Sequence, residues 1–209
     1  MPPSKIVCVG RNYVEHAREL GNEMPAQPLI FLKPPSALSA SGQPIVLPGV
    51  SNQVEFEGEI GVVIGARLRG ATLEQARAGI RGIVAANDVT ARDLQRSDGQ
   101  WSRAKGFDGF CPVGDEVAPP ADLSALEVVT RVNGTERQRG RASEMAFDIP
   151  SILVYVSGIM TLEPGDLVLT GTPAGVGKLA PGDEVEVEVV VPDASGGALR
   201  SRVTNPVRE

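Results

Sequence analysis

The chain has 209 residues, of which 42% are hydrophobic and 22% charged, a composition typical of a globular domain with one buried core. Its formal net charge of -6 disfavours binding to nucleic acid or to an anionic membrane, and no apolar run reaches the roughly 18 residues that span a bilayer. With one histidine and two cysteines, the chain lacks the ligands for a two-histidine metal site and for a disulfide framework. The first ten residues lack the apolar stretch of a secretory signal, so we expect a cytoplasmic protein.

Twenty-four glycines and seventeen prolines favour strands joined by tight turns over a helical bundle. In chain order, apolar runs and alternation predict strands over 5–9, 29–32, 54–64, 83–87, 128–132, 167–170 and 185–191. Helical spacing and capping signals predict helices over 12–20 and 72–80, and a third helix that starts at Asp148. The sequence shows no internal repeat and no linker. We therefore predict a strand-rich α+β fold with about three short helices, formed as a single domain over 1–209.

A run of alternating glutamates is the most informative stretch of the chain. In the strand predicted over 54–64, Glu55, Glu57 and Glu59 share one face, with same-face neighbours roughly 7 Å apart at Cα. Because this strand continues into an apolar run that we expect to be buried, the carboxylates repel one another unless a cation neutralises them. The alternative is a solvated strand face, which is the more common origin of acidic alternation. We interpret in that way a similar alternation near the C-terminus, formed by Glu184, Glu186 and Glu188.

Asp88 distinguishes the first acidic stretch from the second. It directly follows the strand predicted over 83–87, and strand ends are where functional polar groups gather. Taken alone, Asp88 also fits a turn or a helix cap. Together with Glu57 and Glu59 it would complete an all-oxygen site, which favours Mg²⁺ or Mn²⁺ over zinc.

Two further groups are candidates for catalysis. His16 and Glu19 are three residues apart on one predicted helix, so they share a face, and a carboxylate beside an imidazole orients it as a general base for water. An ordinary surface ion pair is the alternative. Lys105 lies in a cationic and aromatic stretch, where it could hold a substrate carboxylate or a developing enolate, or could simply be solvated.

The loop over 170–178 resembles a phosphate loop only superficially. Its glycine spacing is one residue too long for a Walker motif, and Leu179 stands where Ser or Thr is required. Its backbone N–H groups and the Thr172 hydroxyl are nevertheless suited to binding a carboxylate.

Six motifs follow one another along the chain: Gly10-Arg11-Asn12-Tyr13 with His16 and Glu19, Phe31-Leu32-Lys33-Pro34, the Glu57-x-Glu59 pair, Asp88-Val-Thr-Ala-Arg-Asp-Leu-Gln95, Arg103-Ala-Lys105, and Thr170-Gly-Thr172-Pro-Ala-Gly-Val-Gly177. In this order they resemble the fumarylacetoacetate hydrolase family, in particular its short, single-domain acylpyruvase-type members. The resemblance runs from about residue 5 to residue 190. It departs from the family at Glu55-Phe56, where many members have His-His or His-Tyr, and at Gly58, which leaves the middle of the glutamate pair bare.

The resemblance implies a mixed β-sheet roll or sandwich of the family's C-terminal-domain type, and a homodimer. It implies one Mg²⁺ or Mn²⁺ per chain, bound by Glu57, Glu59 and Asp88. It also implies that His16 and Glu19 form a water-activating dyad on a mobile segment over about 10–25. Lys105, Gln95 and Thr172 match positions that contact substrate in the family. Arg11 joins them on charge balance, since three carboxylates and one divalent ion leave about -1 and an anionic substrate needs compensating cations.

The expected activity is hydrolysis of a C–C bond in 2,4-dioxo acids of the acylpyruvate or fumarylpyruvate type. Water activated by His16 would attack the 4-carbonyl, releasing a carboxylic acid and a pyruvate enolate held by the metal and Lys105. Oxaloacetate decarboxylation and keto–enol tautomerisation or isomerisation of 2-oxo-3-enoic diacids on the same site are alternatives. A non-catalytic metal- or ligand-binding protein is a more distant one, since it has no use for Lys105 and the dyad together.

Overall fold

Strands dominate the computed structural model, which describes residues 2–19, 21, 23–193 and 196–209. The first eight strands are β1 Ile6–Gly10, β2 Leu29–Lys33, β3 Leu38–Ala40, β4 Ile45–Val46, β5 Val54–Phe56, β6 Gly58–Ile64, β7 Ile80–Asn87 and β8 Thr90–Ala91. The remaining strands are β9 Cys111–Val113, β10 Glu127–Val132, β11 Thr135–Arg141, β12 Leu167–Leu169, β13 Gly177–Lys178, β14 Glu184–Pro192 and β15 Ala198–Arg208.

The described residues form five α-helices, two more than predicted. They are α1 Val14–Glu19, α2 Leu73–Ala78, α3 Arg92–Ser97, α4 Ser102–Lys105 and α5 Ile149–Ile159, and single 3₁₀ turns lie at Pro35–Ala37, Leu123–Ala125 and Ala142–Glu144. The capping box of Thr72 and Gln75 starts α2, and the Asp148 side chain caps α5 by accepting from Ser151 N–H. Helix α1 is shorter than the predicted 12–20, and the last residue of that prediction, Leu20, lies outside the described residues. The two additional helices, α3 and α4, follow Asp88.

The strands form three sheets. The seven-stranded sheet has the order β2-β1-β12-β6-β7-β9-β3, the five-stranded sheet β11-β10-β14-β15-β4, and the three-stranded sheet β13-β5-β8. The predicted strand-rich α+β fold is therefore confirmed, with parallel pairs such as β1–β12 among mainly antiparallel ones. The main core lies between the two larger sheets and under α2 and α5, and its buried members include Val7, Ile60, Val62, Val128, Ile152, Leu153, Val187 and Val203. Burial of each such side chain stabilises the fold by about 1.5–3 kcal/mol.

The strand predicted over 54–64 is interrupted at Glu57, which corrects the expectation of one continuous strand. Strand β5 pairs with β13 and β8, whereas β6 pairs with β12 and β7. At the break, the Glu57 N–H donates to Asn87 Oδ1 at 3.0 Å and its carbonyl accepts from Asp88 N–H at 2.8 Å. The Asn87 side chain and the Asp88 backbone thus hold Glu57 against the end of β7. The residues before and after Glu57 belong to two different sheets.

The residue directly after the break is a glycine, Gly58, because the five-stranded sheet approaches the backbone closely there. A Cβ atom at this position would lie 1.8 Å from Thr130 Oγ1, a contact that no side chain tolerates. The bare middle of the glutamate pair therefore lets β10 pack directly against the start of β6.

The acidic face predicted for the C-terminal strand is only partly solvated. Glu184 is exposed, but the side chain of Glu188 is 4% exposed because it is covered by Arg200 and Arg202, which donate to its two oxygens. Burial alone would raise the pKa of Glu188, yet these arginines and Arg131 hold it below its usual value. Periodicity alone cannot show that a neighbouring strand, β15, carries the counter-charges.

Candidate metal centre

Three buried carboxylates meet where β6 and β7 lie side by side. Glu57, Glu59 and Asp88 each offer one oxygen, and these oxygens lie within 4.8 Å of one another. Glu59 sits on β6 opposite Ala86 of β7, and Asp88 follows β7 directly, so the strand pairing itself brings the acids together. These are the three residues predicted as metal ligands, and carboxylate oxygens are the ligands that Mg²⁺ and Mn²⁺ prefer.

Two buried lysines face the same carboxylates. Lys105 Nζ donates to Glu57 Oε2 at 2.8 Å and to Asp88 Oδ2 at 2.7 Å. Lys33 Nζ, at the end of β2, donates to Asp88 Oδ1 at 2.6 Å and to the Val89 carbonyl at 3.2 Å. Lys33 was not among the predicted site residues, although it lies in the Phe31-Leu32-Lys33-Pro34 motif at the end of an apolar strand.

Arg92 was also not among the predicted site residues, and its contacts explain why Glu55 lies apart from the other acids. The Arg92 guanidinium donates to Glu55 Oε2 at 2.8 Å and to Glu57 Oε1 at 2.5 Å, and all three side chains are buried. Glu55 therefore pairs with an arginine instead of joining the other acids. The signal for Arg92 was its place four residues after Asp88, where α3 begins.

The pKa values of the two glutamates move in opposite directions. Burial alone would raise the pKa of Glu57, but Lys105 and Arg92 outweigh it and hold that pKa well below its usual value. The pKa of Glu59 is raised well above its usual value by burial and by the charges of Asp88 and Glu57. Lys105 also feels burial, but Asp88 and Glu57 raise its pKa, so it stays protonated. Glu59 is thus the carboxylate whose charge the protein compensates least.

These residues fit a divalent cation. Within the described chain, the four buried carboxylates of the cluster face three buried cations, which leaves one negative charge, and it is concentrated near Glu59. Each carboxylate oxygen has two lone pairs, so an oxygen that accepts from a lysine can still bind an ion. A cation bound by Glu57, Glu59 and Asp88 would relieve the repulsion that raises the pKa of Glu59.

A cavity of about 410 Å³ opens above the three carboxylates. All nine predicted site residues except Glu19 line it, together with Val9, Gly10, Phe31, Arg92, Arg96 and Trp101. The rings of Phe31 and Trp101 meet edge to face with centroids 5.1 Å apart, and Lys105 Nζ lies 5.0 Å from the Phe31 centroid. The cavity therefore combines a cationic and acidic floor with one aromatic wall, and its volume suits a small molecule.

The predicted dyad lies at the side of this cavity. His16 is 4% exposed, and its Nδ1 lies 3.3 Å from Glu19 Oε2. Both Glu19 oxygens accept from Gly175 N–H at 3.1 Å, so the 170–177 loop fixes the carboxylate that orients the imidazole. Asn12 anchors the start of this segment by donating from Nδ2 to the Thr170 carbonyl at 2.8 Å. The catalytic role of the pair stays a prediction.

Two of the three predicted substrate contacts, Gln95 and Thr172, have hydrogen-bond partners. Gln95 Oε1 accepts from Arg92 at 2.6 Å, which leaves its amide nitrogen as the group for a ligand. Thr172 Oγ1 donates to the Gly58 carbonyl at 2.9 Å and accepts from Gln138 at 2.7 Å. Arg11 is half-buried and adopts a positive φ of 57°, which is uncommon outside glycine. Strained backbone of this kind is concentrated at ligand sites.

The fold is curled and strand-rich, and it places a carboxylate cluster that could hold a divalent ion, together with two lysines, under a small-molecule pocket. The chain belongs to the fumarylacetoacetate hydrolase family, because residues 5–204 match the family model described as Fumarylacetoacetate (FAA) hydrolase C-terminal. The predicted resemblance is confirmed.

Three similar proteins carry names of different reactions. The chain is 42% identical over 210 residues to oxaloacetate tautomerase YcgM of Escherichia coli (strain K12), covering 97% of this chain and 93% of that protein. It is similar to the crystal structure of 5-carboxymethyl-2-hydroxymuconate delta-isomerase from Mycobacterium smegmatis, with TM-score 0.86, 44% identity, and 100% and 80% of the two chains covered. It is also similar to fumarylpyruvate hydrolase from Pseudomonas aeruginosa in complex with Mn²⁺ and pyruvate, with TM-score 0.87, 30% identity, and 99% and 90% covered.

Proposed function

We propose that this protein is a metal-dependent hydrolase that cleaves the C–C bond of 2,4-dioxo acids of the acylpyruvate or fumarylpyruvate type. The observation that carries the proposal is the position of His16, which is buried in the wall of the cavity above the three carboxylates and is oriented by Glu19. A tautomerisation needs no water-activating base, whereas hydrolysis does.

One Mg²⁺ or Mn²⁺ per chain belongs to this proposal, held by Glu57, Glu59 and Asp88. When bound, such an ion polarises the oxygens of a 2-oxo acid and stabilises negative charge that develops on them. The Mn²⁺ and pyruvate in the fumarylpyruvate hydrolase from Pseudomonas aeruginosa support the assignment.

The side chains of this protein then have separable tasks. His16, held by Glu19, takes a proton from water, and the hydroxide adds to the 4-carbonyl of the substrate. Breaking the C3–C4 bond leaves a carboxylic acid and the enolate of pyruvate, which takes a proton at C3. Lys105 is buried and stays protonated, so it stabilises the enolate as a cation. Arg11, Gln95 and Thr172 contact the anionic substrate.

A second candidate is the tautomerisation or decarboxylation of oxaloacetate. It is favoured by the higher identity to oxaloacetate tautomerase, 42%, than to fumarylpyruvate hydrolase, 30%. Oxaloacetate has the same 2-oxo acid head as the dioxo acids and would use the same carboxylates and Lys105.

One set of assays separates these candidates. The purified protein with Mg²⁺ or Mn²⁺ is tested on acetylpyruvate, fumarylpyruvate and oxaloacetate, and released acid, CO₂ and loss of the enol form are measured separately. We expect release of acid, and we expect His16→Ala to lower it by about 10²–10⁴-fold while Mn²⁺ binding persists. Turnover of oxaloacetate alone would favour the second candidate, and hydrolysis at the parental rate by His16→Ala would contradict the role of the dyad. Mn²⁺ binding without any turnover would indicate a non-catalytic protein.

The proposal also retains the expected homodimer and a cytoplasmic location. Sedimentation analysis would test the dimer. Cys8 and Cys111 are buried and unpaired, which is compatible with a reducing compartment. Among the described residues, no helix has both the length and the apolar character needed to cross a membrane.

A further inference from the structure

Gln138, which lies behind the cavity wall, connects the two halves of the candidate site. It belongs to β11 and is 1% exposed. Its Oε1 accepts from Gly58 N–H at 3.0 Å, and its Nε2 donates to Thr172 Oγ1 at 2.7 Å and to the Pro173 carbonyl at 2.8 Å. Thr172 Oγ1 donates in turn to the Gly58 carbonyl at 2.9 Å. These bonds close a ring between the glycine inside the glutamate pair and the 170–177 loop.

The loop that Gln138 holds is itself bonded to both functional groups of the site. Gly171 N–H donates to Glu59 Oε2 at 2.6 Å, so the loop positions one carboxylate of the candidate metal centre. Four residues later, Gly175 N–H donates to Glu19 at 3.1 Å, so the same loop positions the partner of His16. A shift of this loop would therefore disturb the carboxylates and the dyad together.

The fit between β11 and the loop leaves little space for an alternative arrangement. A Cβ atom at Gly140 would lie 2.6 Å from Pro173 Cβ, and a Cβ at Gly175 would lie 2.2 Å from the Arg137 carbonyl oxygen. Both approaches require glycine, and Gly175 additionally has a φ of +100°. The strand and the loop therefore touch on both sides of Gln138. Water could take the place of the Gln138 amide only if the loop moved away from the strand.

We propose that Gln138 is a positioning residue, which holds the Glu57–Glu59 pair and the 170–177 loop in one arrangement so that metal ligands and dyad face the same substrate. This inference rests on the proposed function. Side chains that fix metal ligands from behind typically affect metal affinity or activity by about 10–100-fold. Gln138 does not line the cavity, so it acts on a substrate only through the groups that it positions, Thr172 among them.

The test uses Gln138→Met, which keeps the length of the side chain and removes all three hydrogen bonds. We expect its kcat, measured with saturating Mn²⁺, to fall about 10–100-fold, with a smaller change in KM through Thr172. We expect its Mn²⁺ affinity, measured by electron paramagnetic resonance of free Mn²⁺, to weaken by about 10-fold. Gln138→Leu is a second variant that removes the same three hydrogen bonds with a smaller, apolar side chain. We expect it to lose kcat in the same way, and it gives a second measurement should the methionine variant fold poorly.

Asn205→Leu is the matched control. Asn205 is also 1% exposed, lies on β15 of the same sheet, and donates from one amide to the carbonyls of Ala40 and Gln43 at 2.9 and 2.8 Å. Its loss should lower the melting temperature and leave kcat and Mn²⁺ affinity unchanged.

Several results would overturn the proposal. Parental kcat and Mn²⁺ affinity in folded Gln138→Met or Gln138→Leu would do so, as would an equal loss in Asn205→Leu. If the parent turns over none of the dioxo acids or oxaloacetate, the proposed function fails, and the role of Gln138 is then tested by Mn²⁺ affinity alone. Weaker Mn²⁺ binding in the Gln138 variants but not in Asn205→Leu supports the positioning role, and unchanged Mn²⁺ affinity refutes it.

Discussion

Replacing Lys33 by methionine is expected to destabilise the metal-free protein and to enlarge its response to metal. Lys33 and Asp88 are both fully buried, with 2.6 Å between Nζ and Oδ1. Methionine keeps most of the volume of the lysine, so the main loss is one positive charge. Removing one partner of a buried ion pair costs about 3–5 kcal/mol. We expect the lower end, about 3 kcal/mol, because Lys105 still donates to Asp88 Oδ2 at 2.7 Å.

The response to metal follows from the same charge. Without Lys33, a cation bound beside Asp88 meets one more uncompensated negative charge, so its affinity should rise. An ion present at a hundred times its Kd stabilises the native state by about 2.7 kcal/mol, and each further tenfold in affinity adds about 1.4 kcal/mol. At one fixed Mg²⁺ concentration, Lys33→Met should therefore gain at least about 1 kcal/mol more from Mg²⁺ than the parent does.

The assay is urea unfolding of both proteins, with chelator and with Mg²⁺. Lys178→Met is the matched control, since Lys178 is exposed on β13 and its loss should change neither quantity. If Mg²⁺ stabilises Lys33→Met no more than the parent, Asp88 does not share its charge with a bound ion. If the metal-free variant is as stable as the parent, the buried pair does not have the strength assigned to it.

Two further variants test the metal centre and the pH dependence of folding. Asp88→Asn should weaken the rise in melting temperature on adding Mg²⁺ and the loss of activity with chelator, whereas Glu186→Gln should leave both intact; equal behaviour would contradict the site. Asp166→Asn should cost about 2–3 kcal/mol at neutral pH, because Asp166 accepts from the N–H groups of Ser4 and Glu163 and from Lys5 Nζ. These bonds hold the pKa of Asp166 below its usual value, although burial alone would raise it. With the lower pKa in the folded state, this contribution is present above the unfolded pKa of about 3.9 and is lost as pH falls through the folded pKa. Urea unfolding at several pH values should show that loss, and a pH-independent difference would contradict it.

The acidic cluster was indicated by the sequence because part of its signal is local. Alternation pointed to Glu55, Glu57 and Glu59, and the end of an apolar strand pointed to Asp88, whereas the family resemblance implied the set Glu57, Glu59 and Asp88. The spacing of three residues likewise placed His16 beside Glu19, as the structure has them. The break at Glu57, which separates Glu55 from the other acids, was not visible in the alternation.

Two of the three buried cations, Lys33 and Arg92, could not be found from such local patterns. Lys33 is 55 residues from Asp88 along the chain, and the two meet because β2, β1, β12, β6 and β7 lie side by side. Helix α3 was missed for a related reason: its buried residues include Arg92 as well as Leu94, so its sequence lacks a helical apolar stripe. The prediction that Glu188 is solvated was wrong. A sequence pattern cannot show that Arg200 and Arg202 cover this carboxylate, so the residue was taken as exposed. Long-range pairing of charges is thus the information that periodicity lacks.

The buried cations around the carboxylates change the charge expected of the loaded site. Three carboxylates and a divalent ion alone leave a net negative site, which repels an anionic substrate. With Glu55, Lys33, Arg92 and Lys105 included and all groups ionised, one negative charge remains among the described buried groups, and a divalent ion turns it into one positive charge. Arg11 and Arg96 also line the cavity, so two more positive charges face a carboxylate substrate with or without the ion, and the ion strengthens the attraction. The chain as a whole carries -6, so this attraction must come from the cavity and not from the surface.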